Sequence, residues 1–176
     1  MRSRWLIAAA IIALLFTLQS LHRVGSGPWG VDGSYYMQVA RHVAAGDGLF
    51  TSVCLYDQGL HTLPARTNIY PLWPLLLGSA ARIMPLEAAA TLLPRIFFIV
   101  DLVLLFALAD RIAKGYYAFA AILLMGLTEA FLIATCYPYT EGLALCCTFS
   151  ALLMFDLAGR QRRCHRLPGP RVGERL

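Results

Sequence analysis

Residues 116–157 read YYAFAAILLMGLTEAFLIATCYPYTEGLALCCTFSALLMFDL. Two apolar runs, 116–135 and 139–157, flank the polar pause Tyr137-Pro138-Tyr139-Thr140-Glu141. As a helix, each run is long enough to cross a hydrocarbon core of about 30 Å, at about 1.5 Å per residue. Lipid offers the backbone no hydrogen bonds, so a run of this length has to satisfy its own. Apolar residues cluster in runs rather than alternating, which points away from a lipid-facing β-barrel.

Working upstream, 96–110 is a third apolar segment. Segment 70–84 is apolar but short, with Pro71 and Pro74 in its first turns, where a missing N–H costs little. Segment 5–21 follows Arg2 and Arg4. No small-x-small cleavage site follows it at His22-Arg23-Val24-Gly25, so it is expected to stay as an uncleaved anchor. The fold class expected is all-α, a polytopic transmembrane helix bundle occupying residues 1–158.

Composition agrees. Hydrophobic residues make up 59% of the chain and charged residues 14%, the latter about half the usual share of a soluble domain. The net charge is +5, and 14 of the 15 basic residues are Arg. They sit between and beyond the apolar runs, at Arg2, Arg4, Arg82, Arg95, Arg111, Lys114 and the group Arg160, Arg162, Arg163 and Arg166. A nucleic-acid binder collects such charge on one soluble face, so nucleic acid is excluded as a partner and the bilayer is expected. Positive-inside then puts Met1 in the cytoplasm. The five cysteines form no CxxC pair and none has a His at ligand spacing, so no zinc site is assigned.

Two topologies remain open. If 70–84 crosses fully, Arg111, Lys114 and the terminal Arg group fall outside. If 70–95 dips in and returns, they fall inside and 137–141 falls outside, as positive-inside prefers. Helix length does not decide, because 87–110 also reads as one long tilted helix.

The expected external loop, 22–69, is the long polar stretch before the tail. Within it, 34–45 has Tyr36, Val39, Ala40 and Val43 on one helical face and Gln38, Arg41 and His42 on the other. That reads as a short amphipathic surface helix, capped by Asp32 or Ser34 and stopped by Gly46-Asp47-Gly48. Residues 159–176 turn abruptly Arg-, Gly- and Pro-rich, and read as a disordered basic tail or the product of a broken reading frame.

Two motifs stand in order. The first is Trp29-Gly30-Val31-Asp32-Gly33-Ser34-Tyr35-Tyr36, running on to Gly46-Asp47-Gly48. The second is Tyr70-Pro71-Leu72-Trp73-Pro74. With the preceding anchor, this pattern resembles the start of the GT-C glycosyltransferases. Most similar is the dolichyl-phosphate-mannose–protein mannosyltransferase-like branch, with the aminoarabinose and Rgt-type transferases. The resemblance implies the amino-terminal part of a longer module and transfer from a polyprenyl- or dolichyl-phosphate sugar to an acceptor hydroxyl. It also implies the outer face of a bacterial inner membrane as the place of reaction.

By the same resemblance, Asp32 is the catalytic carboxylate. The chemistry suits the position. An acceptor hydroxyl is a poor nucleophile and needs a base as it attacks the anomeric carbon. The alternative reading of Asp32 is a helix cap, and a cap also fixes a carboxylate in place. Tyr35 and Tyr36 are candidates for the acceptor cleft, or are interfacial anchors. His61 and Arg66 are candidate phosphate contacts, or solvated loop residues. Glu141 is a candidate to join Asp32, or an acidic residue favouring a helix start. Gly33 stands where the family often carries a second acidic residue, so the cofactor is left open, with a divalent metal one option.

Two other classes compete. One is a non-catalytic small membrane protein or subunit. The other is a small transporter, with Asp101 and Glu129 inside apolar runs as an ion path. A salt bridge to an Arg of a neighbouring helix is the plain alternative for Asp101, and a position near an interface for Glu129.

Overall fold

The computed structural model describes residues 2–23, 30–52, 63–67, 70–113 and 116–165. In chain order they form α1 (Arg2–Arg23), α2 (Gly30–Ala45), β1 (Phe50–Thr51), β2 (Ala65–Arg66), α3 (Leu72–Ala80), α4 (Leu86–Ile112), α5 (Tyr116–Leu127), α6 (Glu129–Cys136) and α7 (Glu141–His165). The architecture is all-α, apart from one two-residue antiparallel ladder that sets Phe50 opposite Arg66. Three helices, α1, α4 and α7, are long and apolar enough to cross a membrane.

Ion pairs fix how these three run. Arg4 Nη1 meets Asp110 Oδ1 at 2.7 Å, so the start of α1 lies against the end of α4. Arg111 Nε meets Asp156 Oδ2 at 2.7 Å, and Arg160 Nε reaches the same carboxylate oxygen at 3.0 Å. Arg160 Nη2 also donates to the Arg111 carbonyl, one of those α4 leaves open at its end. α1 is therefore antiparallel to α4, and α7 is parallel to it. The return between α4 and α7 is made by α5 and α6 together.

Two apolar clusters hold the bundle. In the first, Ala8, Ile12 and Leu15 of α1 pack on Phe98, Leu102 and Phe106 of α4, with Ala118, Ile122 and Phe131 closing the sides. In the second, Met37 and Ala40 of α2 meet Trp73 and Leu77 of α3 and Leu86, Ala89 and Ala90 of α4. The apolar face of α2 is thus covered by α3 and α4. Contact with α3 is close: a β-carbon at Gly78 would lie 2.5 Å from Val43 Cβ and 2.8 Å from the Ala40 carbonyl oxygen.

Several boundaries differ from the sequence expectations. α2 begins at Gly30, so Asp32 lies within its first turn and does not cap it. Its end is as expected. Gly46 takes φ +92°, its N–H bonds the Val43 carbonyl, and the Asp47 N–H reaches back to the His42 carbonyl. That is a Schellman closure. His42 then ties this turn to the strand, with Nδ1 2.9 Å from Asp47 Oδ2 and Nε2 2.7 Å from Ser52 Oγ.

Within 70–84 only nine residues are helical, about 13 Å of helix, which does not span a membrane. Of the two readings for 96–110, the structure has the single long helix: α4 starts ten residues before 96 and runs through the buried Pro94, with 27 residues in all. The run 116–135 breaks at Thr128, whose backbone is extended. The Thr128 hydroxyl bonds the Leu124 carbonyl at 2.6 Å. Glu129 consequently opens α6 instead of ending a helix, and it is exposed there. α7 continues to His165, so the expected tail is helical over 159–165, with Arg160 paired four residues back to Asp156. Residues 166–176 lie outside the described residues.

Candidate active site at the tyrosine end

Opposite the arginine-rich end of α1, α4 and α7, three separate parts of the chain meet. They are the first turn of α2, the start of α3 and the turn between α6 and α7. The join is made by Trp73. Its ring is buried, its indole N–H donates to the Pro138 carbonyl at 2.7 Å, and it lies edge-on to Phe97 with centroids 5.9 Å apart. The Tyr-Pro segment is thereby tied to the turn that carries Glu141.

Tyr36 occupies the middle of this meeting. Burial pushes its phenol up from the usual value, and a hydrogen bond with the Thr140 side chain pulls the other way. Electrostatic interaction with Glu141, Asp32 and Tyr70 raises it further. Tyr139 is raised in the same manner, first by burial, then by Asp32, Tyr137 and Glu141. Its ring stacks on Tyr137 with centroids 5.6 Å apart. Asp32 and Glu141, far apart in sequence, therefore act on the same two phenols. Asp32 is exposed in the first turn of α2, and Glu141 is exposed in the first turn of α7.

The other expected site residues separate. Tyr35 is one position from Tyr36, about 100° round the helix, and its hydroxyl lies 3.0 Å from Thr67 Oγ1 instead. Arg66 is exposed on β2, opposite Phe50, and is not among the groups acting on Tyr36 or Tyr139. His61 lies outside the described residues. Among the described residues no three His, Cys, Asp or Glu side chains gather as a metal-holding group. Asp32 and Glu141 alone offer two carboxylates, fewer donors than a divalent metal takes from an all-protein site.

From Glu141 an open groove of about 490 Å³ follows α7 for two turns, between it and the α5–α6 break. Met125, Thr128, Phe131, Glu141, Leu145 and Thr148 are among the residues that line it. Its walls are apolar but for Glu141 and the two threonines.

Sequence reasoning did not single out Trp73 or Tyr139 individually, although both fall within motifs it quoted. It missed the buried pair Gln19 and Thr135. The Gln19 Nε2 amide donates to the Thr135 carbonyl at 3.1 Å and to its hydroxyl at 3.2 Å. A glutamine inside an apolar run was the available signal. Asp101 forms no salt bridge among the described residues, and neither of its oxygens has a hydrogen-bond partner.

No family model, no curated protein and no solved structure matches this chain.

Proposed function

We propose that this chain is part of a GT-C-type glycosyltransferase that moves a sugar from a polyprenyl-phosphate donor to an acceptor hydroxyl at the outer face of a membrane. The observation that carries the reading is the shared action of Asp32 and Glu141 on Tyr36 and Tyr139. A carboxylate base needs polar groups held near it, and Tyr36, Tyr139 and Glu141 support that reading for Asp32.

In this reaction Asp32 accepts the proton of the acceptor hydroxyl as its oxygen bonds to the anomeric carbon. The bond from that carbon to the phosphate oxygen breaks, and polyprenyl phosphate leaves with the electron pair. Attack opposite the leaving group inverts the anomeric centre. Tyr36, Tyr139 and Thr140 supply hydroxyls for the sugar. The groove from Glu141 along α7 suits the donor's hydrocarbon chain, because its walls are apolar and it opens sideways.

Orientation follows from charge. Arg4, Arg111 and Arg160 cluster at one end of the three long helices. Positive-inside assigns that end to the cytoplasm, and Asp32 with Glu141 to the outside. A short α3 that returns on the same side fits this arrangement.

The test uses membranes from the native host with and without the gene. Labelled polyprenyl-phosphate sugars are supplied, and transfer to endogenous acceptors is counted. Loss of one transfer reaction on deletion is expected. Identical transfer profiles in the two membranes contradict the proposal.

A further inference from the structure

Four helices contribute to a polar point inside the bundle, just beneath the tyrosine end. α4 brings Asp101, about 22 Å from the Leu86 end and about 16 Å from Ile112, at 1.5 Å per residue. Its carboxyl is fully buried, and both oxygens lack a hydrogen-bond partner. α7 brings Gly142, where a β-carbon would lie 4.0 Å from Asp101 Oδ2 and 3.7 Å from Thr135 Cγ2. Cys146, one turn further along α7, lies within electrostatic reach of Asp101. α6 brings the buried Thr135, and α1 the buried Gln19.

The donors here are already committed. The Thr135 hydroxyl gives its proton to the Phe131 carbonyl at 2.7 Å. The Gln19 amide gives its N–H groups to the Thr135 carbonyl and hydroxyl. The Ser150 side chain is hydrogen-bonded to the Cys146 sulfur, which accepts. The acceptors are in surplus: Asp101 Oδ1 and Oδ2 and Gln19 Oε1 are all buried and unpartnered. A bare carboxylate at this depth is costly, and intramembrane acids are paired or neutralised. Arg95 Nε, six residues before Asp101 on α4, is also buried without a partner. Burial is the one influence acting on Asp101, however, and Arg95 is not among its neighbours. With three orphan acceptors gathered here, the missing partner is a positive charge. One carboxylate balances one such charge, whereas a divalent ion leaves a net positive charge buried.

We propose that Asp101, with Gln19 and Thr135 beside it, forms an intramembrane site for a monovalent cation, either a proton or sodium. The site does not rest on the transferase reading, since Asp101, Gln19 and Thr135 have no role in it, although Gly142 adjoins Glu141. Among the described residues, Cys146 is the titratable side chain that faces Asp101 from a neighbouring helix. Gln19 of α1 and Thr135 of α6 do not titrate.

The test compares thermal unfolding of the full chain in detergent with that of Asp101→Asn, both in a Cys146→Ala background. One titration runs from about pH 6 to about pH 9, and another exchanges choline chloride for sodium chloride at constant ionic strength. If the ion is a proton, Asp101 protein alone gains Tm on acidification. If it is sodium, Asp101 protein alone gains Tm with sodium. Parallel curves for the two proteins in both titrations overturn the proposal. Where Asp101→Asn does not fold, modification of the unsubstituted chain by dicyclohexylcarbodiimide reads the same site. Expected is labelling of Asp101 that slows with rising pH, roughly tenfold per pH unit once the acid ionises, or that sodium suppresses. No labelling of Asp101, or labelling indifferent to both, overturns it.

Discussion

The indole N–H of Trp73 donates to the Pro138 carbonyl at 2.7 Å, joining residues 65 positions apart. This bond sets the turn bearing Tyr139, Thr140 and Glu141 against the start of α3. Trp73→Phe keeps an aromatic ring but removes the donor from a buried carbonyl. The expected cost is about 1–3 kcal/mol of stability. Chemical unfolding in detergent measures it, and an unchanged midpoint counts against the role assigned to this bond.

Gly78 lets α3 lie directly on α2. Gly78→Ala drives a β-carbon into Val43 and the Ala40 carbonyl. Overpacking of this kind costs about 1–3 kcal/mol. Val43→Gly removes both side-chain clashes, with Cβ and with Cγ1, and leaves that with the Ala40 carbonyl, so the double variant is expected to recover part of the loss, read as a coupling energy. Strict additivity of the two single effects contradicts the close approach.

Much of the fold was legible because lipid leaves the backbone few options. The runs at 5–21 and 139–157 had to be helices, and they are. The breaks were harder to see. Sequence left open whether 96–110 or the longer 87–110 was helical, and α4 takes the longer course through Pro94. Thr128 reads as an ordinary helical residue, yet it ends α5, with its hydroxyl on the Leu124 carbonyl. The helical start of the tail was hidden by composition: Arg160–Asp156 is a pair within α7 four residues apart, but the Arg160–Arg111 contact needs α4 lying alongside. At the site, Asp32 and Glu141 were each visible, but their common neighbours Tyr36 and Tyr139 needed the tertiary arrangement. The separation of Tyr35 from Tyr36 follows simply from helical spacing.

Tyr36 provides a titration of the cleft. Its phenol is raised above 10.0, first by burial and then by nearby negative charge, against the Thr140 hydrogen bond. Asp32→Asn and Glu141→Gln each remove one raising charge, so each is expected to lower the Tyr36 transition in an ultraviolet pH titration. Thr140→Val is expected to raise it. Because the folded value lies above the unfolded one, the native state holds the proton more tightly. The stability this contributes is present below about pH 10 and is lost as pH rises through the folded value. Tyr36→Phe should therefore flatten the alkaline loss of stability. A Tyr36 transition unmoved by either carboxylate substitution rejects the shared cleft.

Sidedness is open to direct chemistry. In a cysteine-free background, Glu141→Cys is expected to react with a membrane-impermeant maleimide in intact cells. Asp156→Cys, at the arginine end, is expected to react only after permeabilisation. The reverse pattern turns the orientation over.

The most direct measurement is the rate of sugar transfer from a polyprenyl-phosphate donor in native-host membranes carrying Asp32→Asn, at equal protein level. Loss of a positioned general base lowers the rate by about 10²–10⁴-fold, and a fall in that range is expected. Transfer at the unsubstituted rate contradicts the assignment of Asp32 as the base.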